Sequence, residues 1–548
     1  MKRGIKLLSS AVLGLAAVAC SSPEKMADMA ENVSVKCDPA VLEVVAGNID
    51  ATVTVTYPAD YFHPKAILEV TPVIVYEGGE AAMEPFVYQG EKVTDNYKVI
   101  PSDGSTVTEK VHFSYVPGME KSYLELRGVV KYKNKSVNLP VKKAADGANT
   151  TYMLVNKDGK LDFKADNYQE IIKQTAEGQI LYTINSSTVR NSQLKSESIK
   201  SFQAALDEIK GNERKELVST DIVAYASPDG KQDLNAKLSD RRSSSAERAF
   251  GKVTKGHEVE APVNVKSIGE DWEGFQELVS QSDIEDKDLI IRVLSMYSDP
   301  DVREQEIKNM SAVYKVLAKE ILPELRRARF IANVEFTNYS SEELLQLIEE
   351  NIDVLDEEAL LRAASITKEN ADKESVYKKA IEKFNSDRAQ YNLAVVYLNG
   401  NKLDAAKSAL AKVQGKDADW QNAMGVVALR EGNNDEAVKY FKAAANQTAK
   451  ENLAVIDILN GDYAAAAAKL ADAKGCCHNK TLAYILAGQL DKAAASAKCA
   501  SPSVAYLKAV IAARQGNAEE VKANLETAGK DSKLAERAAK DVEFAQYR

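Results

Sequence analysis

Histidine is nearly absent from this sequence, four in 548 residues, and cysteine is scarce at five. His63, His112, His257 and His478 lie far apart, at no spacing that metal ligation or an activated nucleophile uses. There is no Gly-x-Ser-x-Gly, no His-Glu-x-x-His and no phosphate loop, so hydrolase, metalloprotease and nucleotide chemistry have no carrier. Ser227 lacks a companion histidine, and pairs such as Glu349-Glu350 belong to charged helix faces. The expectation is no enzyme, no cofactor and no metal site. Positive charge is not in excess either: 71 basic against 81 acidic residues leave a net charge of −10, which argues against nucleic acid as a partner. Past the N-terminus no run of about eighteen apolar residues occurs, so no membrane-spanning helix is expected. A hydrophobic content of 45% in 548 residues is globular, and far longer than one core supports.

What is present begins with Lys2, Arg3 and Lys6, followed by a small and apolar stretch from Leu7 to Ala19. It ends Ala17-Val18-Ala19-Cys20-Ser21-Ser22, which resembles a lipobox, with Ala17 where Leu is commoner. The resemblance implies a signal peptide over 1–19, lipidation of Cys20 and a tether over 20–33, anchoring the chain to a membrane without spanning it.

Three regions follow. Residues 34–150 alternate as strands do, most clearly Ala51 to Tyr57, Val107 to Val116, Tyr123 to Tyr132 and Val137 to Val141, with Gly- and Pro-containing turns between them. Short strands so spaced predict an all-β, immunoglobulin-like sandwich. A linker is expected over 151–177. Over 178–340 strand and helix mix: Ile180, Tyr182 and Ile184 alternate, Ile199, Phe202, Leu206 and Ile209 share a helix face, and Asp221–Ala226, Val263–Ile268 and Arg329–Thr337 are strands. A helical insertion over about 272–327 interrupts this α/β region.

Residues 341–548 are helical and alanine-rich, with turn signals at Asn401, Gly432, Gly461, Gly488 and Gly516, in steps of 27 to 31 residues. Each ends one helix and is followed five residues on by Ala or Val in the next, the signature of an α-solenoid. The first unit resembles the tetratricopeptide repeat through Leu393-Ala394, Tyr397, Asn401, Ala406 and Leu410, and the second through Met424-Gly425, Gly432, Ala437 and Phe441. Later units are shorter and lose the aromatics. The resemblance implies a concave groove that binds partner-protein segments; a solenoid that packs only against its own chain stays open beside it. Tyr397 is expected in the solenoid core and Trp420 at an exposed edge.

In the central region, Ala224-Tyr225-Ala226-Ser227-Pro228-Asp229-Gly230, Leu234-Asn235, Leu238-Ser239 and Arg241-Arg242 resemble the OmpA C-terminal domain, the peptidoglycan-binding module of envelope proteins. On that resemblance Asn235 and Arg242 fall on ligand-contacting positions, and Ser227 falls where the family has Asp. Arg242 would take the carboxylate of a diaminopimelate end group through parallel hydrogen bonds. Ser227 cannot take its ammonium as an Asp would, and Asp229, two residues on, is the available substitute. Tethering to peptidoglycan and a purely protein-docking role both stay open.

The domain content is similar to envelope lipoproteins of the Bacteroides group. The resemblance implies an outer-membrane scaffold or adaptor with envelope proteins as partners, or an accessory subunit of an assembly, secretion or uptake machine. Ser21-Ser22-Pro23-Glu24-Lys25 lacks the acidic run of surface-exported members, so the periplasmic face is expected. Cys476, Cys477 and Cys499 can form a disulfide or remain buried thiols; the vicinal pair lacks the spacer of structural zinc sites.

Overall fold

A computed structural model describes residues 23–257, 259–475 and 478–548. Cys20, Cys476 and Cys477 lie outside the described residues. Within these bounds, no helix is long and apolar enough to cross a membrane.

The chain divides into two compact units, 1–164 with 387–548, and 165–386. The first opens with helix α1 (Pro23–Asp28) and eleven strands: β1 (Ser34–Asp38), β2 (Val41–Val45), β3 (Asn48–Tyr57), β4 (Ile67–Tyr76), β5 (Gly79–Ala82), β6 (Phe86–Gly90), β7 (Lys98–Ile100), β8 (Ser105–Ser114), β9 (Ser122–Tyr132), β10 (Lys135–Asn138) and β11 (Lys142–Asn149). Pairing is mostly antiparallel, in the order β1-β3-β2-β11-β9-β4-β6-β7, with β8 on β3, β5 on β4 and β10 on β9. Along β3 the pattern Ile49, Ala51, Val53, Val55, Tyr57 faces inward, as a period of two requires. The strand expected through Val141 stops at Asn138, because Pro140 has no N–H to give a ladder.

The second unit carries β12 (Ile171–Leu181), α2 (Glu197–Gly211), β13 (Lys215–Ala226), α3 (Gln232–Val253), β14 (Val263–Glu270), α4 (Trp272–Gln281), α5 (Lys287–Met296), α6 (Pro300–Asn309), α7 (Ser311–Glu320), β15 (Arg327–Thr337), α8 (Ser341–Glu350), α9 (Glu357–Ile366) and α10 (Asn370–Phe384). Its sheet runs β12-β15-β13-β14, with β13 and β14 parallel. β12 begins inside the stretch expected as linker and ends before Ile184, which is 61% exposed. Helices α2 and α3 close over the sheet through Phe202, Phe250 and Phe330, whose ring centroids stand 5.3 to 6.4 Å apart. The insertion α4–α7 has a core of its own around Phe275, Ile290, Leu317 and Leu325.

Back in the first unit the chain pairs α11 (Asp387–Asn399) with α12 (Leu403–Leu410), α13 (Ala418–Arg430) with α14 (Asn434–Ala444), α15 (Gln447–Asn460) with α16 (Tyr463–Leu470), α17 (His478–Leu486) with α18 (Leu490–Ser496), and α19 (Pro502–Gln515) with α20 (Ala518–Ala528); α21 (Ser532–Lys540) follows. All five expected turn residues have left-handed backbone, φ 55° at Asn401 and 71° to 87° at the four glycines, as a helix C-terminus favours. One buried cluster runs from Leu42 and Ile49 through Tyr152 and Val155 to Val426, Ile458, Tyr506 and Phe544. Strands and helical repeats therefore share a core.

Candidate functional site

Two polar constellations stand out, one on each unit. In the first unit the chain leaves β11 and crosses the first helices of the repeats as an extended strap. Asn392, Asn422 and Asn452 occupy the same place on α11, α13 and α15, 30 residues apart, and each is at most 2% exposed. A buried primary amide must satisfy both a donor and an acceptor. Here the strap backbone does so for Asn392 and Asn452, while Asn422 Oδ1 accepts from Asn452 Nδ2 at 2.8 Å. Lys164 N–H donates to Asn392 Oδ1 at 2.7 Å and Lys164 O accepts from Asn392 Nδ2 at 2.9 Å. Lys160 N–H donates to Asn452 Oδ1 at 2.6 Å, while Lys160 O accepts from Asn452 Nδ2 at 2.9 Å and Asn422 Nδ2 at 3.0 Å. Asn156 is gripped in the same two-way manner by Asn479 of α17, at 2.8 Å for each bond.

The clamps thus fall on residues 156, 160 and 164, and the strap runs opposite to the order of the repeats. Between the clamps, Arg430 donates to Asp158 O at 2.8 Å, Thr448 Oγ1 donates to the Asp162 carboxylate, and Tyr391 OH donates to Asp162 O at 3.2 Å. Lys160 pairs with Glu451 at 2.9 Å and Lys164 with Asp417 at 2.5 Å. Gly159 has φ +73°, and a Cβ there would stand 2.6 Å from a Val426 methyl. Upstream, His478 Nε2 lies 2.6 Å from Leu154 O, and burial pushes its imidazole pKa below the usual value. Trp420, expected at an exposed edge, is 8% exposed and donates from Nε1 to Leu410 O at 2.9 Å; the indole finds its acceptor only inside the repeat. Tyr397 packs partly buried against the same cluster.

Ser227, Asp229, Asn235 and Arg242 do come together in the second unit, where β13 passes into α3. Their polar atoms are turned inward. Arg242 is fully buried: Nε donates to Ser186 O at 3.0 Å, Nη1 to Tyr225 O at 2.8 Å and Nη2 to Thr183 O at 3.3 Å. Its guanidinium lies 4.9 Å from the centroid of the Tyr182 ring, and burial pushes its pKa down to about 10. Asn235 Nδ2 is within reach of Ser227 O, Gly230 O and Glu270 Oε1, at 2.9 to 3.2 Å. Ser227 Oγ donates to Asp229 Oδ1 at 2.6 Å, and Arg326 binds Ser227 Oγ at 3.2 Å and Asp229 Oδ2 at 3.0 Å. The Asp229 partner thus comes from the end of the helical insertion. Burial raises the Glu270 pKa, and the insertion carboxylates Glu304 and Asp301 push it the same way.

The sequence reading located this second cluster and missed both the asparagine ladder and Arg326. A signal for the ladder was present: Asn392-Leu393-Ala394-Val395 recurs as Asn452-Leu453-Ala454-Val455, with Asn422 midway. Cys499 lines a cavity with Gly475, whereas the cysteines expected to meet it lie outside the described residues.

No protein-family description matches the chain, and no curated protein does. Among solved structures, the chain is similar to one from the crystal structure of the APC/C hetero-tetramer Cut9-Hcn1, over 56% of this chain and 72% of that one, at 12% identity and a TM-score of 0.31. A likeness of that size carries no inference about fold or function.

Proposed function

We propose that this chain is a non-catalytic scaffold lipoprotein, anchored by Cys20 to the outer membrane on its periplasmic side, that holds protein segments on its helical repeats. In this reading the three regions are an immunoglobulin-like sandwich, an OmpA-like domain and tetratricopeptide-like repeats. The observation that carries it is the asparagine ladder, a row of buried amides that grips the backbone of an extended segment. Such a row is peptide-binding chemistry and has no use in bond-making.

For the central domain, protein docking is favoured over tethering to peptidoglycan. All three donating nitrogens of Arg242 named above are taken by main-chain carbonyls, and Asp229 is already paired with Arg326. A zwitterionic wall peptide would have to break those bonds before making its own. The test combines fractionation with sedimentation on insoluble peptidoglycan. Cys20→Ala should move the protein from membranes to the soluble periplasmic fraction, and the soluble form should not sediment with the wall. A variant that stays on carbonate-washed membranes overturns the anchor. Sedimentation with peptidoglycan overturns the docking assignment and restores tethering.

A further inference from the structure

Resting on the scaffold reading, we propose that residues 156–164 are a displaceable resident ligand of the repeat groove, closing it in cis until an extended segment of a partner protein with the same backbone pattern takes their place. Three features of the strap carry the proposal.

First, the clamps grip main chain. Asn392, Asn452 and Asn479 each exchange two hydrogen bonds with the N–H and C=O of one strap residue, so any chain extended with the same spacing offers them the same atoms. Second, little apolar surface holds the strap down. Asn156, Lys157, Asp158, Asp162 and Phe163 are exposed and Leu161 packs half-buried against the repeats; a segment with so few buried apolar contacts opens locally at low free energy. Third, the side chains that are used define what can replace it. With Asn156 as the first position, the fourth must be glycine, because Gly159 has φ +73° and lies against Val426. The fifth and ninth are basic, facing Glu451 and Asp417, and the seventh carries a carboxylate for Thr448. The fitting partner is therefore an extended segment with backbone clamped at positions one, five and nine, glycine at four, lysine or arginine at five and nine, and an acid at seven.

The probe is a fluorescein-labelled nonapeptide of residues 156–164, Asn-Lys-Asp-Gly-Lys-Leu-Asp-Phe-Lys, titrated into full-length protein. Gly159→Val places a β-branched residue at positive φ and against Val426, and should evict the strap. The variant should bind the peptide at least tenfold more tightly than wild type. A peptide with Val at its glycine position should not bind, and adding Asn452→Ala should weaken binding by about ten- to a hundredfold. A Gly159→Val protein with wild-type helical content that binds no better than wild type overturns the proposal. Should that variant not fold, hydrogen exchange on the wild type decides. The Lys160 and Lys164 amides should exchange at least tenfold faster than hydrogen-bonded amides of α13 and α15, and equal protection would make the strap a permanent part of the solenoid. Peptide binding by the evicted variant, with no envelope partner found for the lipoprotein, would leave the strap mechanism standing and remove only the scaffold reading.

Discussion

Arg242 shows how a residue with ligand-binding chemistry becomes structural. A guanidinium donates in fixed directions, and at this position three carbonyls from the turn after β12 and from β13 lie in those directions. Arg242→Ala would leave three buried acceptors and a cavity the size of the side chain. We expect a loss of about 3 kcal/mol or more, seen as a fall of roughly 6 to 12 °C in the melting of residues 165–386, given a domain of that length. An unchanged melting point would mean that the carbonyls are satisfied elsewhere. His478 gives a pH dependence in the first unit. Nε2 serves Leu154 O, and Nδ1 is buried with no hydrogen-bond partner; burial therefore favours the neutral ring and holds its pKa below the ordinary histidine value of 6.5. Below 6.5 the unfolded chain takes up a proton that the folded chain resists, so stability is intact above that pH and falls as pH drops through it towards the folded pKa. His478→Gln should flatten that part of the profile, measured as denaturant midpoints between about pH 7.5 and 5.5. Parallel profiles for wild type and variant would rule His478 out as the source.

Among elements, the helical insertion is closed at its base by a buried ion pair. Asp271, 2% exposed, caps α4 through Gly274 N–H at 2.9 Å and binds Arg327 Nε at 2.8 Å, joining the residue before the insertion's first helix to the first residue of β15. Asp271→Ala would remove the cap and strand a buried guanidinium, at a cost of about 3 to 5 kcal/mol. Limited proteolysis should then cut within residues 282–310 well before the rest of the unit, and an unchanged cleavage pattern would show the insertion held by its own core instead. Much at this scale was legible in the sequence. The turn residues Asn401, Gly432, Gly461, Gly488 and Gly516 are local signals, each recording a left-handed backbone. Helix α2 followed from the periodicity of Ile199, Phe202, Leu206 and Ile209, and the last half of β13 from the run Asp221–Ala226. What periodicity cannot carry is a partner distant in the chain. Asn392 and Lys164 are 228 residues apart, and nothing in Asn156–Lys164, a polar stretch read as linker, records that four helices hold it. The same holds for Arg326, at the end of an insertion nearly a hundred residues beyond Asp229. The sequence therefore located Ser227, Asp229, Asn235 and Arg242 without their state, and Trp420 without the carbonyl that draws it inward.

For the whole molecule, the boundaries suggested by composition do not coincide with the compact units. Residues 165–386 form one unit, and the other joins the eleven-stranded sheet to the helices from residue 387 onward. That first unit is welded by polar contacts as well as by the shared core: Glu543 accepts from Asn149 and Thr151 at 2.7 and 2.9 Å, and Arg537 donates to Thr150 O at 2.8 Å. Removing residues 387–548 to map a partner surface would therefore strip one side of that core and should yield an aggregating fragment. The informative cut is the opposite one. Lys164 is clamped to Asn392, which lies five residues into α11 from Asp387, about 7.5 Å at the helical rise. A linker of about four to six Gly and Ser residues should therefore join Lys164 to Asp387 in place of residues 165–386. We expect that shortened chain to melt in a single transition, with protection of the Lys160 and Lys164 amides unchanged, because every bond that holds the strap lies within the unit that remains. A broad transition or an early-exchanging sheet would mean that residues 165–386 are needed to hold strands and repeats together.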